Sequence, residues 1–124
     1  MLSGACVGSN NLLKAKKFYA QVLATIEMEC LVDLEHELGF GPIGGNPNFW
    51  VVKPYNEEQA SFGNGTQIMF ETDCKNSVIA FYDTALKMGG LDEGMPGPRD
   101  YATNYYGAYV RDLDGNKLHI SIKL

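Results

Sequence analysis

The stretch from Tyr105 to His119, which reads YYGAYVRDLDGNKLH, decides how the chain folds. Aromatic residues such as Tyr109 favour a β-strand in its first half. Apolar and polar residues alternate from Lys117 onward, which is the pattern of a half-buried strand. The residues between them, Asp-Gly-Asn at 114–116, tolerate the positive φ angles of a tight turn. The stretch therefore predicts a β-hairpin.

Two segments carry apolar residues at helical spacing, and an offset of 63 residues relates them. The first predicted helix covers 11–24, after the N-cap candidates of 9–11. The second covers 77–88, with Asn76 and Ser77 as N-cap candidates and a Gly-Gly pair closing it. The residues that we expect to be mostly buried are Leu12, Ala15, Tyr19, Val22 and Leu23 in the first helix, and Val78, Phe81, Tyr82, Ala85 and Leu86 in the second.

Strand patterns surround both helices. We predict strands over 2–8, over 28–40 with an end near Gly39, over 49–52 and over 66–72, and a loop over 92–104. His36 would then lie on a solvated strand edge between two glutamates. The order strand, helix, further strands occurs twice, and half of a 124-residue chain is too small to bury its own sheet. We therefore expect one domain, 1–124, made of two repeats at about 1–57 and 64–124.

Composition limits the possible partners and compartments. The net charge is −5 and no basic cluster stands out, which argues against a nucleic-acid partner. The three cysteines have no CxxC spacing, so neither a disulfide framework nor a structural zinc site is indicated. No apolar run is long enough to predict a membrane segment, and we expect a cytoplasmic protein.

Three motifs resemble the vicinal oxygen chelate superfamily, which contains glyoxalase I, bleomycin-resistance proteins and extradiol dioxygenases. They are LxxAKxFYxxVL at 12–23, GGxxxGxPGPR at 89–99 and DxDGNK at 112–117. The resemblance implies an α+β fold of two βαβββ modules that form a cup-shaped, partly closed mixed barrel. It also implies a homodimer, which agrees with the tendency of open sheet edges to become covered.

The resemblance also implies a metal site with one ligand from the first strand of each module and one from the last strand. Gly4, Gln67 and His119 occupy these positions here. Glycine has no donor atom and a glutamine amide is a weak ligand, so only His119 is strong. We therefore expect no metal cofactor. A divalent metal remains possible if Glu71 or Cys6 completes a rearranged site.

Candidate ligand-binding residues follow from the same placement. Strand alternation should turn His119 into the concave face, on the side of Lys117 and Ser121, with its neighbours packed against the helices. Gln67 should approach the same cavity, with space left at Gly4. Aromatic residues near sheet ends suit an amphipathic pocket, although core packing explains many of them equally well. The predicted ligand-binding residues are His119, Gln67, Tyr109, Trp50 and Arg99. For Arg99, an ordinary surface charge is an equally good interpretation.

Two functional hypotheses remain. In the first, the chain binds a small organic molecule without metal, in the manner of bleomycin-resistance proteins, through a degraded metal site. In the second, it is a divalent-metal-dependent enzyme, a glyoxalase-type lyase or isomerase or a dioxygenase, that uses His119, Gln67 and a third group. Stoichiometric metal in the purified protein would separate the two.

Overall fold

The computed structural model describes residues 1–124. It contains eight strands and two helices. In chain order these are β1 (Ala5–Gly8), α1 (Leu12–Ala24), β2 (Met28–Asp33), β3 (Glu37–Pro42), β4 (Phe49–Val52), β5 (Ile68–Thr72), α2 (Lys75–Lys87), β6 (Leu91–Gly97), β7 (Gly107–Arg111) and β8 (Lys117–Ile122).

The strands form two four-stranded mixed sheets with the orders β1-β4-β3-β2 and β5-β8-β7-β6. In each sheet the first strand of the module pairs in parallel with the last, and the other pairs are antiparallel. Each module thus has the order βαβββ, and the two sheets do not close on each other. The predicted α+β fold is confirmed.

The 63-residue offset holds for more than the helices. Both ends of α2 lie 63 residues after the corresponding ends of α1, and β5 and β6 begin 63 residues after β1 and β2. The offset then breaks, because β3 begins at residue 37 and β7 at residue 107. Residues 98–106 form the connection before β7, which is longer than the connection before β3 and lies over the second sheet.

Both helices are amphipathic and bury one face. Asn11 caps α1, and its side chain accepts a hydrogen bond from the Lys14 amide. The N-cap of α2 is Cys74 rather than Asn76 or Ser77, so the predicted start of that helix was wrong by two residues. Gly89, with φ of 101°, ends α2 in the left-handed conformation that glycine adopts at no steric cost.

One core joins the two modules. A buried cluster of 18 residues includes side chains from both helices and both sheets. An aromatic chain runs through it, from Tyr19 to Phe49 to Phe70 to Phe81, with ring centroids 5.1, 5.2 and 5.7 Å apart. The predicted helix residues are buried, except that Leu12 and Leu86 are half-buried against this core.

The segment 28–40 is a hairpin, so the prediction of one strand was wrong. β2 and β3 pair antiparallel, and residues 34–36 form the turn between them. His36 is exposed in that turn rather than on a strand edge. Nor does the strand end at Gly39, because this glycine lies inside β3, where the Trp50 ring occupies the space of a side chain.

The predicted loop over 92–104 was also partly wrong, because β6 extends to Gly97. Gly94, Pro96 and Gly97 interrupt the alternation expected of a strand, and the β6–β7 register shifts twice. A proline fits here because β6 is an outer edge strand. The other outer strand, β2, carries a register shift of its own between Cys30 and Val32. No helix of the protein is long and apolar enough to cross a membrane.

Candidate functional site on the open face of the second sheet

The second sheet has one face packed on α2 and one open face. Leu118 and Ile120 of β8 are fully buried in the core, so alternation turns His119 to the open face with Lys117 and Ser121. The orientation expected for His119 is confirmed. Only 4% of its surface is exposed, which is unusual for a histidine on an open sheet face.

A row of residues crosses this face at right angles to the strands. Met69 of β5 pairs in register with His119 of β8, His119 with Tyr109 of β7, and Tyr109 with Gly94 of β6. The imidazole and the Tyr109 ring stack in parallel, with centroids 4.4 Å apart and planes inclined by 8°. The row therefore presents a thioether, an imidazole and a phenol side by side.

Tyr105 covers His119 from the connection before β7. Its hydroxyl lies 2.5 Å from Nε2 of the imidazole and forms a buried hydrogen bond. Gly107 makes this approach possible, because a Cβ there would lie 2.3 Å from the Tyr105 hydroxyl oxygen. The other ring nitrogen, Nδ1, is buried and has no hydrogen-bond partner. The fold thus satisfies one imidazole nitrogen and leaves the second unpaired.

The surroundings of His119 favour a neutral ring. Burial lowers the pKa of the imidazole, and the positive charges of Arg99 and Lys117 lower it further. Burial also raises the pKa of the Tyr105 hydroxyl. The pKa of Tyr109 is raised strongly, first by burial and then by its hydrogen bond to Tyr101. At neutral pH these groups are therefore uncharged hydrogen-bonding groups.

Two cations flank the row. The Arg99 guanidinium carbon lies 6.0 Å from the Tyr109 ring centroid, and the Lys117 Nζ lies 5.0 Å from it. Arg99 donates hydrogen bonds to the carbonyl oxygens of Gly97, Pro98 and Met95. Its position is therefore fixed by backbone and not by a carboxylate.

The metal site that the family resemblance implies does not fit these residues. The Nε2 atom of His119 is already bonded to Tyr105. A side chain at Gly4 would clash with the backbone, because a Cβ at this position would lie 2.8 Å from the Asn48 carbonyl oxygen. Nowhere in the protein do three or more histidine, cysteine, aspartate or glutamate side chains come together as a possible metal site.

The remaining predicted site residues lie apart from His119. Gln67 is exposed and precedes β5, and the register places Met69 rather than Gln67 beside the imidazole. Trp50 belongs to the first sheet, where its ring lies over Gly39. Glu71 is exposed two residues beyond Met69 and pairs in register with Ser121.

A cavity with a volume of about 530 Å³ lies between the edges of β1 and β5. Gly4, Ala5, Met69 and Glu71 line it, but His119 and Gln67 do not. The expectation that His119, Gln67 and Gly4 share one cavity was therefore wrong. Cys6, the other candidate for a rearranged metal site, is exposed on β1 and does not line this cavity either.

Sequence reasoning missed two members of the site. Tyr105 reaches His119 from a connection whose path has no periodic signal. Met69 is its neighbour only through the β5–β8 register, which a single sequence does not reveal. Lys117 was recoverable, because residues two apart on a strand share a face.

The site and the fold together can be compared with known proteins. A crystal structure of a glyoxalase/bleomycin resistance protein from Albidiferax ferrireducens T118 is 32% identical, with a TM-score of 0.87 over 98% of both chains. The chain belongs to the glyoxalase/bleomycin resistance protein family. The superfamily that the three motifs resembled is thereby confirmed.

Other members of this wider fold are more distant. A putative glyoxalase from Bacillus halodurans is 14% identical, with a TM-score of 0.77 over 99% of this chain and 96% of that one. The fosfomycin resistance protein FosX from Mesorhizobium loti is 16% identical, with a TM-score of 0.71 over 100% of this chain and 92% of that one. At such identities the likeness shows the fold alone. No family model matches the sequence, and no curated protein matches it either.

Proposed function

We propose that this family member binds a small organic molecule, without a metal, on the open face of its second sheet. One observation carries the proposal. At the position where the resemblance implies a metal ligand from the last strand, the chain has a buried His119 that is hydrogen-bonded to Tyr105 and stacked on Tyr109. An imidazole held in this way is neutral and positions the two tyrosine rings beside it.

The donor chemistry supports binding without metal. A protein-held catalytic zinc usually has three protein ligands. Here the one strong candidate, His119, is hydrogen-bonded to Tyr105, and the residue beside it in the row is Met69. The exposed rings and thioether beside it suit an organic ligand, because small-molecule sites combine apolar surface with a few polar groups.

Metal analysis tests the proposal. Untagged protein, dialysed without chelator, should contain no stoichiometric metal by plasma mass spectrometry, and added Zn²⁺ should give no one-to-one isotherm in calorimetry. His119→Ala should leave both results unchanged. One metal per chain that is lost in His119→Ala would overturn the proposal in favour of the lyase or dioxygenase alternative.

Ligand screening supplies the positive test. A set of small organic molecules should include compounds that shift the imidazole NMR signals of His119 and leave those of His36 unchanged. His36 is the only other histidine and is exposed in the β2–β3 turn, so it serves as the internal control. A set in which no compound moves the His119 signals selectively would contradict the proposal.

We propose further that the chain forms a two-fold homodimer. The support is an open sheet face with exposed apolar side chains, among them Met69 at 67% exposure. Symmetric dimers are the commonest protein oligomers. Light scattering should give twice the chain mass of 13.7 kDa, and the single-chain mass at all concentrations would refute the dimer.

A further inference from the structure

We infer that the ligand of the His119 face is an organic anion with a flat apolar part, such as a small aromatic carboxylate. This inference rests on the proposed function and specifies the chemistry of the ligand. Two cations without carboxylate partners and two exposed apolar side chains surround the row that contains His119 and Tyr109.

The face carries two cations that take part in no ion pair. The three ion pairs of the protein join Lys16 to Asp33, Arg111 to Glu93 and Lys123 to Asp73. Neither Arg99 nor Lys117 takes part in one, although both approach the Tyr109 ring. Because unpaired cations side by side repel each other, an anion bound between them gains energy from both.

Arg99 is already oriented for such a ligand. Its three hydrogen bonds to backbone carbonyls, 2.8 to 3.2 Å long, hold the guanidinium beside Gly94 and Tyr109. A guanidinium has five N–H donors, so about two remain for a bound carboxylate. A pre-oriented donor loses little entropy when the ligand binds.

The negative groups nearby leave this charge uncompensated. Asp92 turns away from the face, since its carboxylate accepts from the Tyr82 hydroxyl and the Gly94 amide. Asp100 follows Arg99 and is exposed, and Glu71 is exposed beside Ser121. Neither carboxylate is within ion-pair distance of Arg99 or Lys117.

The apolar part of the ligand has its own contact surface. Tyr101 and Met69 are 64% and 67% exposed, and the Tyr101 ring stands edge-on to Tyr105 at 4.8 Å. Thioethers and aromatic rings both favour contact with a flat ring. The Nδ1 atom of His119 is buried within the fold and has no hydrogen-bond partner there.

A matched set of ligands tests the charge requirement. Benzoate, benzamide and benzylamine have similar shapes and carry negative, zero and positive charge. Benzoate should bind at least about tenfold more tightly than benzamide in calorimetry, because hydrogen bonds to charged groups are the stronger ones. Benzylamine should bind most weakly, and only the His119 signals should move on binding, not those of His36.

Matched variants locate the cations. Arg99→Gln and Lys117→Gln should each weaken benzoate about tenfold and leave benzamide nearly unchanged. Lys14→Gln, on the exposed face of α1, is the control with an equal change in net charge. The inference is overturned if benzamide binds as tightly as benzoate, or if Lys14→Gln weakens benzoate as much as the other two variants.

Different results would contradict the requirement for an anion and the binding function itself. If benzamide or benzylamine moves the His119 signals as readily as benzoate, the anion inference falls and the proposed binding function stands. If no compound of any charge moves them, both are wrong.

Discussion

The hydroxyl of Tyr19 donates a 2.5 Å hydrogen bond to Oδ2 of Asp112, which joins the helix of the first module to the hairpin turn of the second. Both residues are buried. Asn116 donates to the same Oδ2 and also to the Gly8 carbonyl oxygen in β1. The turn of the predicted hairpin is thus also a polar contact between the modules.

Tyr19→Phe should lower the free energy of unfolding by about 1–3 kcal/mol, because it removes a donor from a buried carboxylate. Urea unfolding followed by fluorescence measures the change. Tyr55→Phe is the matched control, since Tyr55 is fully exposed and should leave stability unaltered. Equal stabilities of the two variants would show that the Tyr19–Asp112 bond contributes nothing.

Asp112→Asn should remove a component of the pH dependence of stability. Burial raises the pKa of Asp112 in the folded state, against its hydrogen bonds from Tyr19 and Asn116, which lower it. A raised carboxyl pKa means that the folded state binds the proton more tightly, so this stability is present at low pH and is lost as pH rises through the folded pKa. The difference in unfolding free energy, wild type minus Asp112→Asn, should therefore fall with rising pH; a difference that rises would show the opposite sign.

His119→Gln should alter the pH dependence in the opposite sense. The pKa of His119 is lowered in the folded state, so the group contributes its full stability above its unfolded pKa of about 6.5 and loses it as pH falls toward the folded pKa. Chemical denaturation across this range should show wild type losing stability relative to His119→Gln on acidification. His36 is present in both proteins and cancels; a difference independent of pH would mean that the His119 pKa is not lowered.

Gly107→Ala should disturb the site without changing a polar group. The new Cβ would lie 2.3 Å from the Tyr105 hydroxyl oxygen and 2.7 Å from the Ile120 carbonyl oxygen, so Tyr105 has to move. We expect a loss of about 1–3 kcal/mol from overpacking and a rise of the His119 pKa as the ring becomes more exposed. NMR titration of His119 and thermal unfolding measure the two effects.

Gly8→Ala is the control for this variant, because its Cβ would lie 3.1 Å from the Ala60 Cβ and at least 3.7 Å from any other atom outside the adjacent residues. An unchanged His119 titration in Gly107→Ala would show that Tyr105 does not control the environment of the imidazole.

The helices were predictable because the helical spacing of apolar residues and the repeated 63-residue offset indicated the same two segments. The offset also extends to β2 and β6, but the glycines and the proline of 94–97 hid the second of these strands. The β2–β3 turn was missed because Leu34 continues an apolar alternation through it, although it is exposed. Periodicity therefore identified the elements that pack on the core and failed where β2 and β6, two edge strands with irregular register, begin or end.

Only the part of the site that lies on β8 was predictable from the sequence. Alternation along β8 was enough to place His119 on the open face with Lys117. The neighbours on either side depend on register and on a connection that folds back, so Met69 and Tyr105 replaced the expected Gln67 and Gly4. Such contacts are set by three-dimensional pairing, and local sequence carries no trace of them.

The irregular registers of β2 and β6 have a consequence for how chains meet. These strands form the outer edges of their sheets, where unpaired amides and carbonyls would otherwise template the addition of another strand. Bulges twist an edge away from regular pairing, and Pro96 removes a donor from β6. At these two edges the irregular pairing hinders the addition of a strand from another chain, whereas β1 and β5, the opposite edges of the two sheets, pair without a register shift.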